Sequence, residues 1–486
     1  MTLHDLLNGV EYQGSVKDCE VTAIVSDSRQ MEPGCLFFCI SGVRFDGHDF
    51  AQQALDAGAA AIVCERDLGL PQQLLVANTH AAYGIASANY YGNPAAKLTL
   101  LGVTGTNGKT TTTTMIKHIL ESAGHRVGLV GTIQNEIADM TLPAKYTTPD
   151  PMQLHAIFAR MVEAGCKYVI MEVSSHALQQ ERVAGCHFAC AAFTNLTQDH
   201  LDYHGNMEGY FAAKAKLFSI CGTAILNLDD PYGLRLLKQC SCPSMTFSCE
   251  NDQADLTARN IRTTAQGTNF ALLKGSTLSR VSLSMPGRFS VANALAAAGV
   301  CLGAGLSLPE VVEGLNSCGG VAGRVEILPT QTPYTVIRDY AHSPDSLEKV
   351  LHTIREFAPG RIVSLFGCAG NRDRTKRPLM AEIVSRLSDF CILTSDNPRD
   401  EDPARIVQDA LPGLQMHPTP HKVIVDRYQA IEWALRNSRP NDILLLAGKG
   451  HEDYQVLDYG TIYFDERTIV MELLQKMRSE QNDAAE

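Results

Sequence analysis

The chain has 486 residues, 45% of them hydrophobic and 19% charged, a globular composition with room for about three domains of ordinary size. Its net charge of −12 speaks against a general affinity for nucleic acid or anionic membrane. No apolar run approaches the roughly 18 to 20 residues that span a bilayer, and Met1 to Val10 has no basic cluster leading into an apolar core, so a cytoplasmic location is expected.

The first stretch, to about Ala86, mixes short apolar runs with glycine turns such as Ser41-Gly42 and Asp46-Gly47. The polar segment Asn89-Tyr90-Tyr91-Gly92-Asn93-Pro94 separates it from the strand-like Leu98-Thr99-Leu100-Leu101, a first boundary. From there Tyr168-Val169-Ile170-Met171 and Ala191-Ala192-Phe193 read as buried strands between amphipathic segments, which implies βαβ units and a mainly parallel sheet. A helix is expected over Val291 to Leu302, and the glycine-rich Gly319 to Gly323 marks a second boundary. The last third repeats the alternation, and the polar tail after Met477 is expected to fray. The expected division is 1–87, 88–322 and 323–486.

The strongest local signal is Gly102-Val103-Thr104-Gly105-Thr106-Asn107-Gly108-Lys109-Thr110, which leaves a strand and enters a segment of helical spacing. Small residues let successive backbone N–H groups face a phosphate, and the helix N-terminus adds a favourable dipole. Lys109 would reach the terminal phosphates and Thr110 would offer its hydroxyl to Mg²⁺. A P-loop of this kind predicts binding of a nucleoside triphosphate and no more, since motors, switches, kinases and ligases share it.

In the last third, three apolar runs end at Phe366, Leu393 and Leu446. They lead into Gly367-Cys368-Ala369-Gly370-Asn371-Arg372-Asp373, Thr394-Ser395-Asp396-Asn397-Pro398-Arg399 and Ala447-Gly448-Lys449-Gly450-His451-Glu452. In a parallel sheet those loops share the ligand-binding edge. Two arginines, an asparagine and a glutamate gathered there suit a ligand with both carboxylate and ammonium groups. Fifteen cysteines without an export signal read as reduced thiols. Cys240 and Cys242 are too close for the usual zinc pair, and no second pair completes a site.

Gly105 to Thr111 resembles the ATP loop of the Mur ligase and folylpolyglutamate synthase superfamily. Further motifs follow in that family's order: Thr147-Thr148-Pro149, Glu172-Val173-Ser174-Ser175-His176, Asp199 to Gly205, Asp339 to Pro344, Asp396 to Arg399 and Gly448 to Glu452. The set is most similar to the diaminopimelate-adding branch of the Mur ligases, with the lysine-adding branch and folylpolyglutamate synthases as neighbouring alternatives. A nucleotide-dependent switch is the alternative from another class.

The resemblance implies an α/β protein: a small N-terminal domain, a central P-loop domain on a parallel sheet and a Rossmann-like C-terminal domain. It implies ATP-driven addition of meso-diaminopimelate to a UDP-muramoyl dipeptide through an acyl phosphate, by a monomer using ATP and two Mg²⁺. The ATP residues would be Gly105, Thr106, Asn107, Gly108, Lys109, Thr110 and Thr111, with Asn293 at adenine, Arg324 at phosphate and Asp339 closing over the nucleotide. Thr110 and Glu172 would hold one Mg²⁺. His200 and Lys214, the latter as a carbamate, would hold the second, and Lys109, Glu172, His200 and Lys214 form the catalytic set. Without the resemblance, Lys214 reads as a solvated helix lysine and Asn293 as a helix-surface amide. Ser26, Ser28 and Val43-Arg44-Phe45 would meet the uridine side, and Thr147, Thr148, Ser174, Gln180 and Arg182 the muramoyl dipeptide. Arg372, Asp396, Asn397, Pro398, Arg399, Gly448 and Glu452 would take diaminopimelate.

Overall fold

The structure, a computed structural model, describes residues 1–42 and 45–483. Two compact units form, Met1–Phe247 with Ala296–Gly314, and Ser248–Leu295 with Leu315–Glu486.

In the first unit a small parallel sheet runs in chain order through Ile24–Val25, Leu36–Phe38, Ala61–Cys64 and Gln73–Leu75. Its first three strands are apolar and buried at every position because both faces are covered, and the edge strand opens on the polar Gln73. Leu36, Phe38, Ala61 and Val63 enter one cluster, and Cys35, Phe37, Ile62 and Cys64 enter the other.

A larger sheet follows in the order Ser244–Ser248, Cys221–Asn227, Phe188–Phe193, Thr99–Thr104, Tyr168–Glu172 and Val127–Val130, all parallel. The antiparallel strands Gln134–Ile137 and Met140–Pro143 extend its edge. The expected runs at 168–171 and 191–193 fall within two of these strands, and the run at 98–101 overlaps a third, which begins at Thr99. Strand Thr99–Thr104 lies between strands drawn from later in the chain. The crevice beyond its carboxyl end is therefore where such a sheet binds a ligand.

The second unit holds the antiparallel strands Leu256–Thr264, Gly267–Lys274 and Thr277–Leu283. It also holds a six-stranded sheet: Glu326–Leu328, Thr335–Asp339, Ile443–Ala447, Ile362–Cys368, Phe390–Ser395 and His421–Val423. Only its first strand is antiparallel. Alternate residues of Ile443–Ala447 point to opposite faces. Ile443, Leu445 and Ala447 pack on helices Pro344–Phe357, Lys376–Leu387 and Pro403–Leu414. Leu444 and Leu446 pack on Arg427–Asn437 and Glu466–Asp483. The last helix continues past Met477 to Asp483, and the expected fraying of the final residues lies outside those described. Ile469, Val470, Leu473, Leu474 and Met477 carry one apolar stripe through it. The expected helix at 291–302 lies within Arg288–Gly303.

Candidate active site

Thr104 ends its strand and helix Lys109–Ser122 starts five residues later. The intervening turn is possible because Gly105 and Gly108 take φ of +154° and +87°. A side chain at Gly105 would strike the Thr194 hydroxyl. Lys109 Nζ donates to the carbonyl oxygens of Gly105 and Thr106, both at 2.9 Å. The turn is held from outside by a segment the sequence did not reveal. Asn195 Oδ1 accepts from Asn107 N at 3.0 Å, its carbonyl accepts from Thr106 N at 2.9 Å, and Thr194 Oγ1 donates to Asn107 O at 2.6 Å. Thr194 and Asn195 follow the neighbouring strand Phe188–Phe193, so only the sheet order makes them adjacent.

Glu172 is the hub of this edge. It ends its strand at 1% exposure. Its Oε2 accepts from Thr110 Oγ1 at 3.0 Å and Thr132 Oγ1 at 2.9 Å, and Oε1 accepts from Thr132 N at 2.9 Å. Thr132, absent from the family motifs quoted above, also meets Thr147 Oγ1 at 3.1 Å. Thr148 Oγ1 donates to the Glu172 carbonyl at 2.8 Å and accepts from Ser174 N at 3.1 Å. Arg182 donates to Thr148 O and, through Nε and a terminal nitrogen, to Gln180 Oε1. The structure thus joins Thr147, Thr148, Ser174, Gln180 and Arg182 in one network with Glu172 and Thr110.

Lys214 is not the solvated lysine its local sequence suggests: it is 1% exposed. Its Nζ donates to Gly105 O at 2.8 Å, so one carbonyl receives Lys109 and Lys214 together. Burial, reinforced by the nearby Lys109 charge and opposed by Asp199, holds the Lys214 amine well below the usual lysine range. His200 takes a left-handed φ of +52° at the start of a short helix. Its ring lies 4.8 Å from that of His176 and 6.2 Å from that of Tyr210. Lys214 Nζ stands 4.7 Å from the Tyr210 ring centre. Among the described residues no group of three or more His, Cys, Asp or Glu forms a metal cage. Mg²⁺ does not need one, because it takes one or two carboxylates, substrate phosphates and water. The buried Glu172 carboxylate against the Thr110 hydroxyl is a hard-oxygen pair that fits it.

Beside the first unit's small sheet, in the segments that follow its first two strands, Ser26 and Ser28 are half-buried and Phe45 is exposed. Val43 and Arg44 lie outside the described residues. Asp46 fixes the following turn: it accepts from the His48 ring at 2.6 Å and from Arg66 at 2.9 Å.

In the second unit Asn293 is 6% exposed, correcting the surface-amide reading. Arg324 lies 4.6 Å over the Tyr340 ring. The Asp339 carboxylate is committed to backbone, accepting from Val325 N and Ala341 N at 2.7 Å each. It thereby shapes the turn that carries Arg324.

The three loops after Cys368, Ser395 and Ala447 share one sheet edge, as their spacing predicts. Asn397 Nδ2 donates to Glu452 Oε2 at 2.9 Å. Lys449, fully buried, donates to Glu452 Oε2 at 3.0 Å and Asn397 Oδ1 at 3.2 Å. Gln455 Nε2 donates to Asp396 O at 2.6 Å. Lys449 and Gln455 were not among the expected site residues, although Lys449 lies inside a quoted motif. Arg399, half-buried at φ +54°, donates to Gly370 O at 2.6 Å. Arg372 is exposed at the mouth of the edge. A cluster of buried acid and amide with flanking arginines can hold an ammonium and a carboxylate of one ligand.

A P-loop edge and an amino-acid-shaped edge on mostly parallel sheets define an ATP-using amide ligase, and the chain belongs to the Mur ligase family. Residues 103–301 match the Mur ligase middle domain, 323–450 the Mur ligase glutamate ligase domain and 20–93 the Mur ligase family catalytic domain. The chain is 43% identical to UDP-N-acetylmuramoyl-L-alanyl-D-glutamate--2,6-diaminopimelate ligase 1 of Clostridium acetobutylicum, across 98% of this chain and 100% of that protein. It is 44% identical to the Bacillus velezensis ligase of the same description, across 94% and 95%. A solved structure of a ligase so described, 31% identical, superposes with a TM-score of 0.70 over 94% of this chain and 95% of that one. MurF from Acinetobacter baumannii shares the fold at 20% identity and a TM-score of 0.62, over 97% and 98%.

Proposed function

We propose that this protein joins an amine of meso-diaminopimelate to the D-glutamate γ-carboxyl of UDP-N-acetylmuramoyl-L-alanyl-D-glutamate, at the expense of ATP, in peptidoglycan synthesis. The observation that carries this is Glu172. Its carboxylate takes the phosphate-loop hydroxyl of Thr110 while its carbonyl takes Thr148 of the dipeptide-side network. One residue thus links the phosphate loop to the threonine network proposed for the dipeptide.

In the first step the D-glutamate carboxylate attacks the γ-phosphorus and ADP leaves, giving an acyl phosphate. The neutral amine then attacks that carbonyl, phosphate leaves, and the amine's surplus proton passes to solvent or phosphate. Lys109 and the amide-lined loop hold the phosphates and offset charge that builds on them, a contribution worth several kcal/mol in such sites. Thr110 and Glu172 would hold Mg²⁺, which would supply further charge neutralisation, and His200 with carbamylated Lys214 would hold a second ion. A neutral, buried Lys214 amine is the form that adds CO₂, and the carbamate N–H still serves the Gly105 carbonyl. Asn293, Arg324 and Asp339 complete the nucleotide side. Asp396, Asn397, Pro398, Gly448 and Glu452 take the amino-acid end bearing the ammonium, and Arg372 and Arg399 the carboxylate. Ser26, Ser28 and the 43–45 loop meet uridine.

The division into 1–87, 88–322 and 323–486 follows these three tasks. A cytoplasmic monomer is the reading adopted, and no helix among the described residues is long and apolar enough to cross a membrane.

Selection of diaminopimelate over lysine rests on Arg399, whose guanidinium matches the extra carboxylate with paired hydrogen bonds. With lysine bound it would stay desolvated and unmatched, for a discrimination of about 10⁴-fold. The test is product mass and kcat/KM with each amino acid, for wild type and Arg399→Ala. The ratio should narrow in the variant. A wild type that prefers lysine, or phosphate release that needs neither carbon substrate, would overturn the reading.

A further inference from the structure

In the first unit Cys221 meets the near neighbours Cys240 and Cys242. Cys221 opens the strand Cys221–Asn227, Cys240 follows helix Pro231–Gln239, and Cys242 precedes strand Ser244–Ser248. The Cys240 and Cys242 sulfurs are 3.0 Å apart, and the Cys221 sulfur lies 3.7 Å from that of Cys242. Cys221 is buried, whereas Cys240 and Cys242 reach the surface. From this we propose that Cys240-Ser241-Cys242 is a thiol–disulfide exchange site whose substrates are small organic disulfides.

The backbone holds the two thiols together. Cys240 N–H donates to Leu236 O, and Pro243 O accepts from Ala224 N, each at 2.8 Å. The connection is therefore anchored on both sides of Ser241. A disulfide needs its sulfurs about 2.0 Å apart, so roughly 1 Å of closure turns this contact into a bond. A metal is the weaker occupant, because the trio does not form a three-ligand cage among the described residues. Burial, followed by the neighbouring thiol of Cys242, pushes the Cys240 thiol up to about 11, and burial pushes Cys221 up as well.

Cys242, whose sulfur lies between the other two, attacks first, as its thiolate, on one sulfur of R–S–S–R. R–S⁻ leaves and a mixed disulfide forms. Cys240 then attacks the Cys242 sulfur of that intermediate, the second R–S⁻ leaves, and the two thiol protons end on the two leaving groups. The protein pair loses two electrons and the reagent becomes two thiols.

The site lies at the amino end of its strand. The phosphate loop follows the carboxyl end of Thr99–Thr104, parallel to it in the same sheet. Oxidation therefore falls on the edge opposite the chemistry, and Cys242→Ser should ligate at the wild-type rate.

The experiment treats the reduced full-length protein with excess oxidised glutathione under native conditions, quenches with acid, alkylates free thiols and maps peptides by mass. The expected result is a peptide in which Cys240 and Cys242 have together lost two hydrogens and resist alkylation until dithiothreitol is added. In Cys242→Ser, Cys240 should stay alkylatable or carry a single glutathione. Full alkylation of both thiols in treated wild type, or a bridge that maps to Cys221, overturns the proposal.

Discussion

Arg427 and Glu466 meet at 2.8 Å with both side chains completely buried. Arg427 spends its other nitrogens on the carbonyls of Ser395 at 3.2 Å and Ala447 at 2.8 Å. Those are the last residues of two strands, one position before Asp396 and Gly448. The pair therefore fixes where the two amino-acid loops begin. Arg427→Met alone should destabilise the protein by about 3–5 kcal/mol, because it strands a buried carboxylate. Arg427→Met with Glu466→Leu should recover most of that stability and still show a raised KM for the amino acid, with KM for ATP unchanged. Thermal midpoints together with the two KM values check this. A double variant with wild-type KM for all substrates would show that the clamp serves folding only.

Thr132 gives the Glu172 carboxylate two hydrogen bonds, one from its backbone N–H and one from its hydroxyl. Only its backbone contact survives in Thr132→Val. Such support of a metal ligand is typically worth 10- to 100-fold in metal affinity, so the Mg²⁺ concentration for half-maximal ligation should rise by about that factor. Saturating Mg²⁺ should restore most of the rate. An unchanged Mg²⁺ curve would remove Thr132 from the site.

The Lys214 proposal turns on sign. As a carbamate the side chain is an anion, so Lys214→Glu should keep more ligation than Lys214→Arg, provided both variants fold. The wild-type protein equilibrated with ¹³C-bicarbonate should show a carbamate carbon signal that Lys214→Arg lacks. Higher activity in the arginine variant, with no such signal in wild type, would count decisively against it.

His155 is fully buried on helix Pro151–Glu163, edge-on to Phe158. Burial pushes its imidazole down from 6.5 to about 4. A histidine with a depressed folded value contributes stability that is present above pH 6.5 and lost as the pH falls towards 4. The span of that loss is roughly 3 kcal/mol, at about 1.4 kcal/mol per pH unit. His155→Phe should flatten the stability profile in this window. Denaturant midpoints from pH 7 to pH 4 measure it, and parallel curves for the two proteins would be the contrary result.

The parts of the site that were legible in the sequence are those in which neighbours along the chain are also neighbours in space. The phosphate loop, the end of strand Tyr168–Glu172 and the three loops of the last sheet are of this kind, because a parallel sheet puts strand ends on one edge. Thr194, Asn195 and Thr132 were not legible, since only the strand order brings them to Asn107 and Glu172. Lys214 was misread for a related reason. Helix Met207–Ala215 is short, and its inward face is chosen by contact with Gly105 rather than by a long apolar stripe. Arg427 and Glu466 stand 39 positions apart on two helices, and neither lies in any motif that spacing could expose.

Arg399 holds a φ of +54°, a left-handed backbone that costs a non-glycine residue of order 1 kcal/mol or more. A selection that rewards only heat resistance would therefore favour glycine at position 399. The surviving enzymes would be tougher and, on the proposed role of Arg399, would also begin to accept lysine. On the selectivity role proposed for Arg399, durability and fidelity are set against each other at this position.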